Sequence, residues 1–345
     1  MKSYDIVPVR QEPGRLKLIR YAGRNLAVPV SESVMEFLMN GNFSGSVAVL
    51  TRTNDEALEI LDLLLKQKVP ARLIQSNDGF NLSSLAEIRY FMDRLHIRDE
   101  GAVISDDDWE SAKSDFYSVF SRSDKQEICH NLINTFESTD RKIKYKTDFE
   151  TFVKESHLED FVRSDTASVT VSTMHKVKGK EFDTVFLVLD RFQQKDDKDR
   201  RLLYVALTRA KDNLSIHMNS SLLDGFTVEG IERYNNTRQY SPSEERTLLL
   251  SLSDIWLSDS GTRQRAISDL RSGDLLYADE TECRNAKGQT VLKFSNVFKK
   301  KLAAFISNGY SVVEAKVNFI VWWKGEDMDK EIRIVLPVLH IAGKI

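Results

Sequence analysis

The chain has 345 residues, 41% of them hydrophobic and 29% charged, with a formal net charge of −3. That balance excludes a wholly disordered protein and gives enough chain for one large domain or two ordinary ones. No apolar run approaches the ~18 to 20 residues of a membrane span, and the opening MKSYDIVPVRQEPGRLKLIRYAG lacks an apolar signal core. Cys129 and Cys283 are too few for a disulfide framework or a structural zinc site. These points set the expectation of a cytoplasmic protein with no membrane partner. A small net charge leaves room for a local basic channel, because counterion release depends on where Lys and Arg sit.

In chain order, RLKLIRY reads as a short strand, and Ser31 as the cap of the helix SESVMEFLMN. SVAVL is a continuous apolar run, as in a strand buried on both faces. From Asn54, taken as an N-cap, Ala57, Leu58, Leu61, Leu64 and Leu65 share one helical face. ARLIQ follows as a brief strand and SLAEIRYFMDRL as another amphipathic helix. Strand and helix in quick alternation mark parallel βαβ units. Residues 97–167 are polar and helical in pattern (WESAKSDFYSVF, KQEICHNLINTF, DFETFVKES), with no clear strand. The α/β rhythm returns with SVTVS, TVFLVLD, the helix DRRLLYVALTRA and the strand NLSIHM. Beyond Pro242, SEERTLLLSLSDIWL reads as a helix and TRQRAISDL as a second one. Strands DLLYAD and TVLKF, the helix NVFKKKLAAFIS, and a hairpin of SVVEAKVNFIVWW with EIRIVLPVLHI complete the chain.

Three stretches carry chemistry. In VSTMHKVKGKEFDTVFLV, polar Thr173 and His175 stand where a strand ends, followed by Lys176, Lys178, Gly179, Lys180 and Glu181. Ligands of doubly wound sheets bind at the carboxyl ends of strands, and such a loop suits an anion; a solvated connection explains the composition equally well. In DRRLLYVALTRAK, Thr208-Arg209 ends a helix whose apolar stripe is plain packing. Arg209 is either a phosphate ligand or a cation at a helix C-terminus. In AVLTRTNDEALEILDLLL, Arg52 follows a buried strand directly, a poor packing position and a good anion hook.

Taken in sequence, LTRTNDEA, FNLSSLAEIRYFMDRL, VSTMHKVKGKEF and RRLLYVALTRAK resemble motif IV with its following helix, motif V and motif VI of the UvrD/Rep/PcrA group of superfamily 1 DNA helicases, over about 46–95 and 168–218. The resemblance implies a RecA-like parallel sheet (helicase domain 2A) in residues 1–96 and 168–240. It implies a helical insertion at 97–167 in the place of a reduced 2B domain, and a second, smaller α+β domain at 250–345. Arg52 and Arg209 are then the two arginine fingers on the γ-phosphate of ATP. Gly179 and Glu181 belong to the nucleotide site, Glu181 near the sugar. Thr173, His175, Lys176 and Lys178 face single-stranded DNA. The implied protein is an ATP-dependent DNA helicase of the bacterial cytosol, acting in DNA repair.

The pattern G-x-x-x-x-G-K-[ST] is missing, as is an apolar strand ending in a DE pair suited to Mg²⁺. ATP with Mg²⁺ is therefore expected to be bound jointly with an N-terminal motor domain of 1A type, on a longer chain or another subunit. By itself the chain is expected to lack ATPase activity, and no metal site of its own is expected. Lys180 stands where the family usually has Leu. A helicase-like module that only binds DNA or protein is the alternative. The C-terminal stretches KGQTVLKFS, FKKKLAAFISNGY and AKVNFIVWWK are more faintly similar to the UvrD-like end of long RecQ-type bacterial helicases. Lys299, Lys300 and Lys301 with Trp322 and Trp323 suit nucleic acid by charge and stacking, or a solvated face and a core Trp. Glu314 and Lys316, with Asp274 or Asp279 upstream, also fit the E-x-K pattern of a nuclease.

Overall fold

A computed structural model describes residues 14–41, 45–74, 79–95, 103–139, 143–162, 169–257, 261–326 and 328–343. The opening stretch and the expected boundaries at 96/97 and 167/168 lie outside them. The chain divides into two compact units, residues 1–74 with 164–243, and 75–163 with 244–345.

In chain order, β1 (Arg15–Tyr21) leads to α1 (Ala27–Met39), then β2 (Val47–Thr51), α2 (Asn54–Lys66) and β3 (Ala71–Leu73). Helix α3 (Ala86–Arg94) is followed by β4 (Val103–Ile104), α4 (Asp106–Val119), α5 (Gln126–Ser138), β5 (Lys144–Tyr145) and α6 (Lys146–Glu155). Next come β6 (Val169–Thr173), β7 (Phe182–Leu189), α7 (Asp197–Leu207), β8 (Ala210–Met218) and β9 (Glu232–Asn236). The remainder is β10 (Glu245–Leu249), α8 (Gly261–Ser268), β11 (Leu275–Ala278), β12 (Glu282–Arg284), β13 (Thr290–Lys293), α9 (Asn296–Ser307), β14 (Tyr310–Trp323) and β15 (Ile332–Gly343). No helix among the described residues is long and apolar enough to cross a membrane.

In the first unit seven described strands form one sheet, in the order β3-β6-β2-β7-β8-β1-β9. Every pairing is parallel. Central strands β2 and β6 are buried at every residue; β2 is accordingly an almost continuous apolar run, whereas β6 alternates Val with buried Thr170 and Ser172. Alternate side chains feed two cores. Leu50, Val185, Leu187, Leu203 and Ala206 fill one face, and Val49, Ile60, Leu64, Val171 and Phe186 fill the other. This is the RecA-like α/β layer expected. Helix α1 begins a turn before Ser31: the Asn25 side chain accepts from the Ala27 N–H, and Pro29 fits the first turn, where its missing donor costs nothing. Ser31 is buried within the helix and donates to the Val28 carbonyl.

The second unit holds an antiparallel six-stranded sheet among the described residues, ordered β10-β15-β14-β11-β12-β13. Its core is continuous with that of helices α3 to α6: Phe91, Trp109, Phe116, Phe136 and Phe149 belong to one cluster with Phe294, Phe298, Phe319 and Val335. Phe91 meets Trp109 and Phe149 edge-on, with ring centroids 5.1 and 5.4 Å apart. Buried Glu87 of α3 accepts from Ser123 (2.6 Å) and from Ser272 (2.9 Å), joining the helical stretch to the C-terminal stretch. The sequence reading drew α3 with the first unit and kept 97–167 apart from 250–345; here all three share one core. The segment after Pro242 forms strand β10 rather than a helix, because Thr247 and Leu248 pair with His340 and Leu339 of β15. Strands β9 and β12 carry polar or mixed sequences and gave no apolar signal.

Candidate functional site

Arg52 is held between two rigid elements of the first unit. Before it, β2 ends in buried Thr51, whose hydroxyl donates to the Thr53 carbonyl (2.9 Å). After it, α2 opens with a capping box: Thr53 accepts from the Glu56 N–H, and Glu56 Oε2 accepts from the N–H of Thr53 (3.0 Å) and of Arg52 (3.1 Å). The cap residue is therefore Thr53, one place before the expected Asn54. Burial raises the Glu56 carboxyl above its ordinary range, against the pull of the Thr53 N–H, and Asp190 raises it further.

The Arg52 side chain is 39% exposed. Its guanidinium lies 5.4 Å over the buried ring of Phe192, and its Nη2 is 3.9 Å from Asp199 Oδ1. At that separation the contact is an ion pair and not a hydrogen bond. The loop after β6 runs alongside. Met174 N–H donates to the Thr51 carbonyl (2.9 Å), and Lys176 Nζ donates to Asn54 Oδ1 (2.9 Å). His175 and Lys178 are exposed, whereas Thr173 closes β6 at 5% exposure. The carboxyl ends of β2 and β6 thus gather Arg52, His175 and Lys176 at one edge of the sheet.

Arg209 stands at the other edge. Leu50 is level with Leu187, and Leu189 with Met218, so Arg52 lies near the carboxyl ends of β7 and β8. Arg209 precedes β8, and its carbonyl accepts from the N–H of Phe182, the first residue of β7. The eight residues from Phe182 to Leu189 span roughly 23 Å at the usual strand rise. The expected pairing of Arg52 and Arg209 about a single phosphate is therefore not what the sheet presents. The reason is plain: one arginine follows its strand and the other precedes one, and parallel strands put those positions at opposite ends.

The guanidinium of Arg209 is also engaged. Nε donates to the Val205 carbonyl (2.8 Å), Nη1 to the Lys180 carbonyl (3.0 Å) and Nη2 to Thr208 Oγ1 (3.1 Å). Of its five N–H groups, two remain. Around it stand exposed Gly179, Lys180 and Glu181. Gly179 has φ +83 with open space where a Cβ would be, so the backbone angle, not a close neighbour, calls for glycine there. Sequence reasoning missed Phe192 and Asp199. Both follow the carboxyl end of β7, so the strand-end rule that singled out Arg52 applies to them too.

The other candidates lie in the second unit. Glu314 is paired with Lys316 (2.9 Å) and lies 3.8 Å from His340. Asp274 accepts from the Arg271 N–H and Asp279 from the N–H groups of Thr281 and Glu282. Among the described residues no group of three acids, histidines or cysteines is placed to hold a metal ion. Trp322 is capped by Arg333, 5.6 Å over its ring, and Trp323 packs on the core. Lys299 and Lys301 are half-buried and Lys300 exposed on α9.

Comparison with known proteins bears on the first unit's loop and helix. A solved structure, the C-terminal domain of a possible DNA helicase from Lactobacillus plantarum WCFS1, aligns at 14% identity over 65% of this chain and 86% of that chain, with a TM-score of 0.34. Residues 106–221 match the UvrD-like helicase C-terminal domain family. That stretch contains Thr173, His175, Lys176, Lys178, Gly179, Glu181 and Arg209 and leaves out Arg52. The match falls on the stretch that carries the motif V-like and motif VI-like segments, and it is a similarity over about a third of the chain.

Proposed function

We propose that the chain is the 2A-type part of a DNA helicase, with a nucleic-acid edge and a nucleotide edge at opposite ends of one sheet. At the carboxyl edge, Arg52, His175, Lys176 and Lys178 take the phosphates of single-stranded DNA. At the amino edge, Glu181 and the two remaining N–H groups of Arg209 meet ATP, whose triphosphate cradle and Mg²⁺ come from a 1A-type domain. Arg209 fits a phosphate oxygen as an auxiliary charge and not as the main ligand, because three of its donors serve Val205, Lys180 and Thr208. ATP supplies the driving reaction when bound; this chain's residues orient it and sense its charge. The reading keeps Arg209 as the arginine finger and moves Arg52 to the DNA.

One observation carries the proposal. The guanidinium of Arg52 is partly exposed, stands over an aromatic ring beside a backbone fixed by a capping box, and, among the described residues, is 3.9 Å from Asp199, beyond hydrogen-bond distance. A pre-aimed cation with unsatisfied donors suits an anion that arrives from outside. Binding of a labelled deoxythymidine oligomer to the chain, weakened in Arg52→Ala, is the test. A platform that binds DNA without motor activity uses the same carboxyl edge; it is separated by Arg209→Ala, which lowers DNA-stimulated ATP turnover of the assembled motor and leaves a platform unaffected.

A further inference from the structure

Asp199 is the acid that faces Arg52, and its position is as fixed as that of the arginine. It sits in the first turn of α7, where its N–H donates to the capping carboxylate of Asp196 (2.9 Å) and its own Oδ2 accepts from the Lys195 N–H (2.9 Å). With Oδ2 held in this way, Oδ1 points to Arg52 Nη2. The acid is 16% exposed against 39% for its partner, so it is the better shielded of the two. The contact is too long for a hydrogen bond, yet it places a negative charge where an incoming phosphate oxygen must come close.

Resting on the reading of the carboxyl edge as a phosphodiester surface, we infer that Asp199 is a positioning residue that gates Arg52. In the absence of nucleic acid it neutralises the guanidinium and keeps it stacked on Phe192. A phosphodiester then displaces Asp199 and gains the hydrogen bonds that Asp199 does not make. Every bound strand must therefore outcompete a built-in carboxylate, which weakens binding and favours rapid release, as a protein that moves along DNA needs. Helix α7 carries Asp199 near its start and runs to Arg209 just past its end, so a shift of that helix bears on both edges.

The test is Asp199→Asn, whose amide oxygen can still accept from the Lys195 N–H. The expected result is about two- to five-fold tighter binding of a labelled single-stranded oligomer at low salt, the range of an exposed ion pair. The gain should vanish in an Arg52→Ala background and be absent in Asp197→Asn, which removes an equal charge from the same helix turn at a site 80% exposed. Circular dichroism and the melting temperature establish that each variant folds; if Asp199→Asn does not, Asp199→Ser supplies the same comparison. An equal gain in the Arg52→Ala background, or no gain, overturns the gate. If Arg52→Ala itself leaves binding unchanged, it is the assignment of the nucleic-acid edge that has failed.

Discussion

Removing the Arg52 side chain should cost a definite amount of DNA affinity. Hydrogen bonds from a charged donor to phosphate are worth ~1.5–3 kcal/mol. Against this, the arginine gives up an exposed ion pair with Asp199, worth at most ~1 kcal/mol. Stacking on Phe192 survives in both states, because the ring sits under the guanidinium and not in front of it. The net loss for Arg52→Ala is then ~0.5–2 kcal/mol, or about 2- to 30-fold in dissociation constant. Losing one phosphate contact should also make the plot of log K against log salt shallower by ~0.7 for a single strand. Fluorescence anisotropy of a labelled deoxythymidine oligomer, titrated between about 50 and 200 mM salt, measures both. Arg209→Ala should leave that slope as it was, since it stands at the far end of the sheet. An Arg52→Ala protein with the parent's slope and affinity would falsify the edge assignment.

Other outcomes follow from packing and protonation. Trp109→Ala, which empties a fully buried site ringed by Phe91, Phe136 and Phe149, should lose ~3–5 kcal/mol of stability. Hydrogen exchange should then speed up in β14 and β15 as well as in α4, because one core serves both stretches. Thr53→Ala should cost ~1 kcal/mol in a urea titration by breaking the capping box of α2. His217 is fully buried between Tyr21 and Ser215, and burial, with Lys17 adding to it, lowers its pKa from 6.5 to about 3. The unfolded chain takes up its proton near pH 6.5 while the folded chain does not. Stability from this group is thus complete above that pH and falls by up to ~1.4 kcal/mol per unit as pH drops toward 3. Urea midpoints compared between the parent and His217→Gln across this window should show a flatter profile in the variant.

The layer was legible because strands buried on both faces leave apolar, β-branched runs, as in Val47–Leu50 and Val185–Leu189, and because Val and Thr in Val169–Thr173 favour a strand. The long hairpin of β14 and β15 and helix α9 were equally plain. Thr247 to Leu249 misled, since a short run of leucines suits a strand or a buried helix alike, and partner β15 lies far along the chain. Edge strand β9, exposed at most positions, had no pattern to offer. For the site, residue types and chain order singled out loops but not which end of the sheet each occupies. That information was present in a weaker form: Arg52 comes after its strand, Arg209 before one. Asp199 was hidden by looking like an ordinary acid in the first turn of a helix.

Each unit is assembled from two separated lengths of chain, and this governs how the protein can come off a ribosome. Among the described residues strand β1 pairs with β8 and β9, so once made it waits about two hundred residues for its first hydrogen-bonded partner. The aromatic helices from α3 to α6 also wait, since the sheet that closes their core includes β15, far along the chain. Neither unit closes before its second length of chain is made, and a nascent chain of this design exposes Phe91, Trp109 and Phe149 until β15 has emerged. Shielding by chaperones during that interval is the natural consequence, and termination between β14 and β15 should yield an insoluble product rather than a shorter working one.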